Sequence, residues 1–196
     1  MIVHLVDGTY ELYRQHYGQA VRSSTPSPNA ATIGVLNSTM QLLTEGATYI
    51  GVASDHVIES FRNDLWSGYK TSEGMEPEIL GQIPIMEEAL RAMGVTVWPM
   101  VEYEADDALA SAAAVADADA RVTQVQILSP DKDLGQCVKG TRVVQIDPGP
   151  TPTFTASAPA SARAIAASGV AIFPTITSRS GNTVLIFLQV SITPLE

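Results

Sequence analysis

Five short apolar runs punctuate the first three quarters of the chain, each bounded by polar or turn-forming residues. The first, "IVHLV" (Ile2–Val6), reads as a buried strand stopped by Asp7 and Gly8. "TYIGVAS" (Thr48–Ser54), "VTVWPM" (Val95–Met100), "VTQVQIL" (Val122–Leu128) and "TRVVQI" (Thr141–Ile146) read the same way. Between them the apolar spacing shifts to the helical period. Helices are expected over roughly Thr9–Tyr17, Ala30–Glu45, Glu78–Met93 and Glu104–Ala116. Asn29 is placed to cap the second and Gly46 to close it, while Ile79, Ile83, Met86 and Leu90 form the stripe of the third. "SSTPSPN" (Ser23–Asn29) is a loop by composition, and "SPDKD" leads into a short helix. The stretch from His56 to Pro77 is polar, rich in aromatics and without a clean period.

Strands alternating with helices predict an α/β fold with a mostly parallel sheet. Such sheets bind ligands beyond the carboxyl ends of their strands. Asp7, Asp55 and the pair Asp131 and Asp133 each follow a predicted strand end, and Glu104, Asp106 and Asp107 come shortly after another. Seven carboxylates are therefore expected along one rim of one sheet.

Charge and composition sharpen this picture. With 196 residues, 45% hydrophobic and 16% charged, the chain is long enough to bury a core. A net charge of −10 argues against a simple basic-faced nucleic-acid binder, unless bound cations reverse the local field. The single Cys137 excludes an internal disulfide and is expected to pack rather than react. The N-terminus lacks the basic lead-in and long apolar run of a signal peptide, and no apolar run matches a membrane span. These features predict a soluble, cytoplasmic protein. His4, His16 and His56 have no metal-ligand spacing, so no zinc site is expected.

Composition changes after Asp147. Over the remaining 49 residues the only charged side chains are Arg163, Arg179 and Glu196, and six of the twelve prolines lie there. "TVLIFLQVSI" (Thr183–Ile192) is apolar, β-prone and uncharged, an aggregation hazard if exposed. Two parts are expected: residues 1–147, and a low-charge remainder, 148–196.

Clustered carboxylates repel, and some would take up protons unless cations hold them. Mg²⁺ or Mn²⁺ accepts such oxygen ligands, and two ions about 4 Å apart can clamp a phosphodiester during attack by water. Alternatively, Glu104 and Asp106 favour a helix start through its dipole alone.

"LVDGTYELYR", "SDHVIESFRNDLWSGYK", "ALRAMGVTVWPMVEYEADDALA" and "ILSPDKDLGQCV" together resemble successive blocks of the bacterial 5′–3′ exonuclease family. This flap-endonuclease-like group includes the N-terminal nuclease domain of DNA polymerase I and belongs to the PIN-like superfamily. The resemblance covers about Met1 to Asp147, and its most specific part is "EADD" followed some 25 residues later by "DKDLGQ". It implies a three-layer PIN-like domain with a helical arch, hydrolysing DNA near 5′ ends or flaps by a two-metal mechanism. By similarity Asp7, Asp55, Glu104, Asp106, Asp131 and Asp133 are metal ligands, with Asp107 supporting them. A monomer without a small-molecule cofactor or membrane partner is expected.

The segment after Asp55 matches the family's arch, through which a 5′ single strand passes. Arg62 and Lys70 match its phosphate-contacting cations, and Arg14 matches a basic residue on the first helix. Trp66 or Tyr69 could stack on an unpaired base, or simply pack the arch; Arg62 could be a solvated surface charge. Lys132, between two of the aspartates, is either part of the site or a structural counter-charge. Where many members carry another arginine after the lysine, this chain has Glu73.

The family continues with a helix-three-turn-helix and a G-D-x-x-D-like element supplying two more acids. Neither is found after Asp147, which leaves the second metal site under-ligated and predicts impaired activity. "IFPTI" (Ile172–Ile176), read two bases later, permits Ile-Pro-Asp-Tyr, close to an "IPDY" of the family. The remainder is therefore expected to be an out-of-frame translation, with a divergent extension or an artificial join as alternatives. A PIN-type ribonuclease acting on single-stranded RNA, and an inert nucleic-acid-binding remnant, are the alternative functions.

Overall fold

A computed structural model describes residues 1–22, 28–148 and 153–155. In chain order the elements are β1 (Ile2–Asp7), α1 (Gly8–Arg22), α2 (Ala30–Thr44), β2 (Ile50–Asp55), α3 (Phe61–Leu65), α4 (Pro77–Leu80), α5 (Gln82–Ala92), β3 (Thr96–Met100), α6 (Ala105–Ala118), β4 (Gln124–Leu128), a 3₁₀ turn (Lys132–Cys137), β5 (Val143–Asp147) and β6 (Thr153–Thr155). The sheet order is β3-β2-β1-β4-β5-β6. Its first five strands are parallel, and β6 runs antiparallel to β5, pairing Ile146 with Phe154. The sheet thus continues past Asp147. The segments Ile172–Ile176 and Thr183–Ile192, and most of the Ser23–Asn29 loop, lie outside the described residues.

Both faces of a parallel sheet are covered, which is why its strands read as nearly continuous apolar runs. Alternate residues feed two cores. Val3, Leu5, Val125 and Ile127 pack under the alanine-rich stripe of α6, centred on the fully buried Leu109. Val6 and Val52 face the other way, toward Leu12 of α1, Val35 of α2 and Ile83, Met86 and Leu90 of α5. The result is three layers, helix on sheet on helix.

Four expectations need correction. The first helix starts at Gly8, directly off the strand, and extends to Arg22. The expected helix over Glu78–Met93 is two helices joined at Gly81. Pro84 has no N–H to offer the carbonyl four residues back, and the break falls there. Asn29 precedes α2 in the left-handed conformation (φ 61°), without a side-chain cap. The polar segment after Asp55 holds one five-residue helix, α3, with turns on either side.

The direct passage from β1 into α1 depends on Gly8. A Cβ there would stand 2.8 Å from Val52 Cγ1 and 2.9 Å from the Ala53 carbonyl oxygen. The carbonyl belongs to the central sheet and cannot give way. Gly8→Ala is expected to destabilise the fold by about 1–3 kcal/mol. Urea unfolding should show this as a lower midpoint at unchanged slope.

Candidate active site

The chain moves from β1 outward to β2 and β3 on one side, then crosses to β4 and β5 on the other. The reversal opens a crevice at the carboxyl ends of β1 and β4, where α/β sheets hold their ligands. A cavity of about 320 Å³ occupies it, walled by Asp7, Asp55, Glu104, Asp106 and Asp131. Five of the seven expected carboxylates therefore converge from four separate parts of the chain.

Asp7 ends β1 and is 7% exposed. Its Oδ1 accepts the Tyr10 N–H at 2.8 Å, capping the turn into α1, and its Oδ2 accepts the Ser129 hydroxyl at 2.9 Å. Burial, with added repulsion from Asp55 and Asp131, pushes its carboxyl up to about 6 despite these donors. Asp55 ends β2 and is 4% exposed. It accepts the Ala105 N–H at the start of α6 at 2.7 Å and the Lys70 ammonium at 2.6 Å.

The three acids at the head of α6 divide their roles. Asp107 turns back on the helix start, accepting the Glu104 N–H at 3.0 Å, and receives two bonds of 2.8 Å from Arg62. Glu104 accepts the Ser60 hydroxyl at 2.7 Å and the Tyr69 hydroxyl at 3.3 Å. Asp106 has no hydrogen-bond donor among the described residues. Burial raises its carboxyl to about 7, with Asp7, Asp131, Asp55 and Glu104 adding to the effect. Of the two acids with a helix-start role as the alternative, Glu104 does stand at the N-cap of α6, paired with Asp107 three residues on, whereas Asp106 lies among the other acids.

Asp107 and Asp133 do not wall the cavity, contrary to the expectation of seven acids along the rim. Successive helical residues point about 100° apart, so Asp106 and Asp107 cannot share one direction. Asp133 sits exposed in the 3₁₀ turn, where its N–H donates to Asp131 Oδ1 at 2.8 Å.

The expected nucleic-acid cations are placed close by but are committed. Lys70 lines the cavity on Asp55, and Arg62 clamps Asp107 with its guanidinium 4.7 Å from the Phe61 ring centroid. Arg14 is held by Glu11 at 2.8 and 2.6 Å and does not line the cavity. The segment carrying Arg62 and Lys70 is folded down by its own bonds. Ser60 caps α3, Asn63 donates to the Lys70 carbonyl at 2.7 Å, and Glu59 accepts both N–H and hydroxyl of Ser72. Trp66 is 65% exposed, with its ring centroid 6.3 Å from that of Tyr69.

Several supporting residues escaped the sequence reading. Thr9 accepts the Asp55 N–H at 2.8 Å, and the buried Gln145 amide donates to the Ser129 and Asp131 carbonyls. Thr9 and Ser129 each lie two residues from an aspartate of the wall, which is a usable signal. Glu87 was also missed: it is buried on α5, accepting Ser54 at 2.7 Å and pairing with His56 at 2.8 Å. Its position on the stripe of Ile83, Met86 and Leu90 marks it. Cys137 packs beneath α6 as expected, its thiol pushed up to about 11 by burial and by Asp106.

The donor set is entirely carboxylate oxygen, which suits a hard divalent cation. Among the described residues no three of these side chains meet closely enough to hold one ion as they stand. They ring the cavity, with Asp106 as the half-buried carboxylate, without a donor of its own, that a cation would satisfy. The residues present fit such an ion.

Fold and site together define a three-layer α/β domain whose acids gather at the topological switch of a parallel sheet. The model of the 5′-3′ exonuclease N-terminal resolvase-like domain matches residues 2–163, and the chain belongs to that family. It is 34% identical over 134 residues to thermostable DNA polymerase I of Thermus aquaticus, covering 67% of this chain and 16% of the relative. To a 5′-3′ exonuclease of Aquifex aeolicus it is 30% identical over 156 residues, covering 78% and 53%. The chain thus spans about half, or less, of the length of these relatives. Among solved structures, a T5 protein co-crystallised with metal ions superposes with a TM-score of 0.54 at 16% identity, over 74% of this chain and 54% of that one. A bacteriophage T5 flap endonuclease complexed with DNA and metal ions gives 0.52 at 17% identity, over the same shares. The likeness establishes a fold shared with these T5 proteins.

Proposed function

We propose that this chain hydrolyses DNA phosphodiesters near 5′ ends or flaps, with Mg²⁺ or Mn²⁺ held by Asp7, Asp55, Glu104, Asp106 and Asp131. One observation carries the reading: five carboxylates from distant parts of the chain wall a single cavity, and the half-buried Asp106 among them has no donor among the described residues. The ions, when bound, supply an activated water and stabilise the leaving oxygen.

The protein's own groups do the rest. Thr9, Ser129 and the N-terminus of α6 fix the directions of Asp55 and Asp7. Lys70 stands at the wall, where its charge offsets that of a phosphate oxygen. Arg62 and Asp107 hold the α3 segment against α6, keeping Lys70 over the site. Exposed Trp66 offers a face on which an unpaired base can stack. Asp133 contributes through its N–H to Asp131, and Arg14 lies farther along α1 as an outer contact to the strand.

The reading extends to a monomer working in the cytoplasm on DNA. It includes a division at Asp147 and a shifted-frame origin for the low-charge remainder, which the encoding nucleotide sequence tests: no family-like sequence in any shifted frame refutes that origin. Among the described residues no helix is long and apolar enough to cross a membrane.

The deciding assay compares a 5′-labelled DNA flap with single-stranded RNA, each with Mn²⁺ and with Mg²⁺. Cleavage of the flap is expected. Cleavage of RNA alone would transfer the assignment to a PIN-type ribonuclease. Calorimetry showing no uptake of either ion at millimolar concentration would point to an inert remnant.

A further inference from the structure

The cations assigned to nucleic acid from the sequence are each engaged by a carboxylate. Lys70 lies 2.6 Å from Asp55, Arg62 makes two bonds to Asp107, and Arg14 makes two to Glu11. A phosphate approaching any of them competes with a partner already in place. Lys132 differs. It lines the cavity, is exposed, and has neither an ion pair nor a side-chain hydrogen bond among the described residues.

Its freedom is confined to the side chain. Gln145 fastens the carbonyls of Ser129 and Asp131, the Asp131 N–H donates to Ser129 Oγ at 3.2 Å, and the Asp133 N–H donates to Asp131 Oδ1. The backbone on both sides of Lys132 is therefore pinned at the mouth of the cavity. The structural counter-charge expected from its two flanking aspartates is not formed, since neither makes an ion pair with it. A lysine held at its base and unpaired at its tip is arranged to meet an anion arriving from outside.

We infer that Lys132 is a substrate-positioning residue, holding a backbone phosphate of the nucleic acid at the cavity that Lys70 also lines. The inference rests on the nuclease reading above and adds a contact to it. A phosphate taken by Lys132 releases condensed counterions without any protein partner being displaced. It should therefore register as a full contact in the salt dependence of binding.

The test is fluorescence anisotropy of a labelled 5′-flap DNA against the full chain, with Ca²⁺ as the divalent ion and KCl varied. Wild type, Lys132→Met and Lys132→Arg are compared. Losing one phosphate contact lowers the slope of log affinity against log salt by about 0.9, which is about eightfold weaker binding at ~0.1 M salt. Lys132→Met should show both changes, and Lys132→Arg should keep wild-type values. In cleavage assays with Mg²⁺ the KM of Lys132→Met should rise more than its kcat falls. A purely structural lysine would leave the salt slope unmoved. Wild-type affinity and slope in Lys132→Met would overturn this inference alone. A wild-type chain binding neither DNA nor RNA at low salt would overturn it together with the nuclease reading.

Discussion

Combining Asp106→Ala with Asp131→Ala should reduce divalent-dependent cleavage of a DNA flap to background, a loss of at least ~10³-fold. These two carboxylates both line the cavity, one at the head of α6 and one after β4. Neither anchors the core, so the loss should come without unfolding. Asp106→Asn alone is the sharper variant. It keeps the shape, removes the charge that Asp7 and Asp131 oppose, and should leave the protein more stable in EDTA than wild type. Circular dichroism melts alongside the cleavage assay separate the two effects. Cleavage surviving the double substitution would remove the proposed site.

The second large effect is on stability itself. Asp7 is raised to about 6 and Asp106 to about 7, from ordinary values of 3.8. The folded chain therefore binds more protons than the unfolded chain between about pH 4 and pH 7. Stability from these groups is fully present below that window and declines as pH rises through it. In EDTA the thermal midpoint at pH 5 should exceed that at pH 8 by roughly 8–16 °C, corresponding to about 4 kcal/mol. Asp107, whose burial is outweighed by Arg62, is shifted downward and exerts its effect below this window. Millimolar Mg²⁺ at pH 8 should raise the midpoint, because a cation then replaces the missing protons. Differential scanning calorimetry at the two pH values checks both. A midpoint in EDTA that climbs from pH 5 to pH 8 would contradict the repulsion on which the reading depends.

Much of this architecture is legible in the sequence because a parallel sheet leaves a plain trace. Strands covered on both faces are uninterrupted apolar runs, and an aspartate immediately after such a run can only lie at the carboxyl rim. Asp7 and Asp55 were found that way. What stayed hidden depends on rotation and on partners. The rim argument cannot tell Asp106 from Asp107, because neighbouring helical residues part by a geometry that spacing alone did not resolve. The ion pairs of Arg62 and Lys70 with Asp107 and Asp55 join residues far apart in sequence, which spacing alone does not reveal. Glu87 was hidden because a carboxylate on an apolar stripe is easily taken for a surface residue until Ser54 and His56 are seen around it.

The bond between Ser129 and Asp7 joins residues separated by 122 positions. No stretch of nascent polypeptide ending before β4 can form it. During synthesis the acidic pocket must then be assembled late, after most of the two cores has been laid down, and chain closure at β1 and β4 becomes a slow, long-range step. A ribosome-bound intermediate ending before β4 would carry Asp55 with its partners in place but Asp7 without Ser129, so the pocket wall is completed only by the finished sheet.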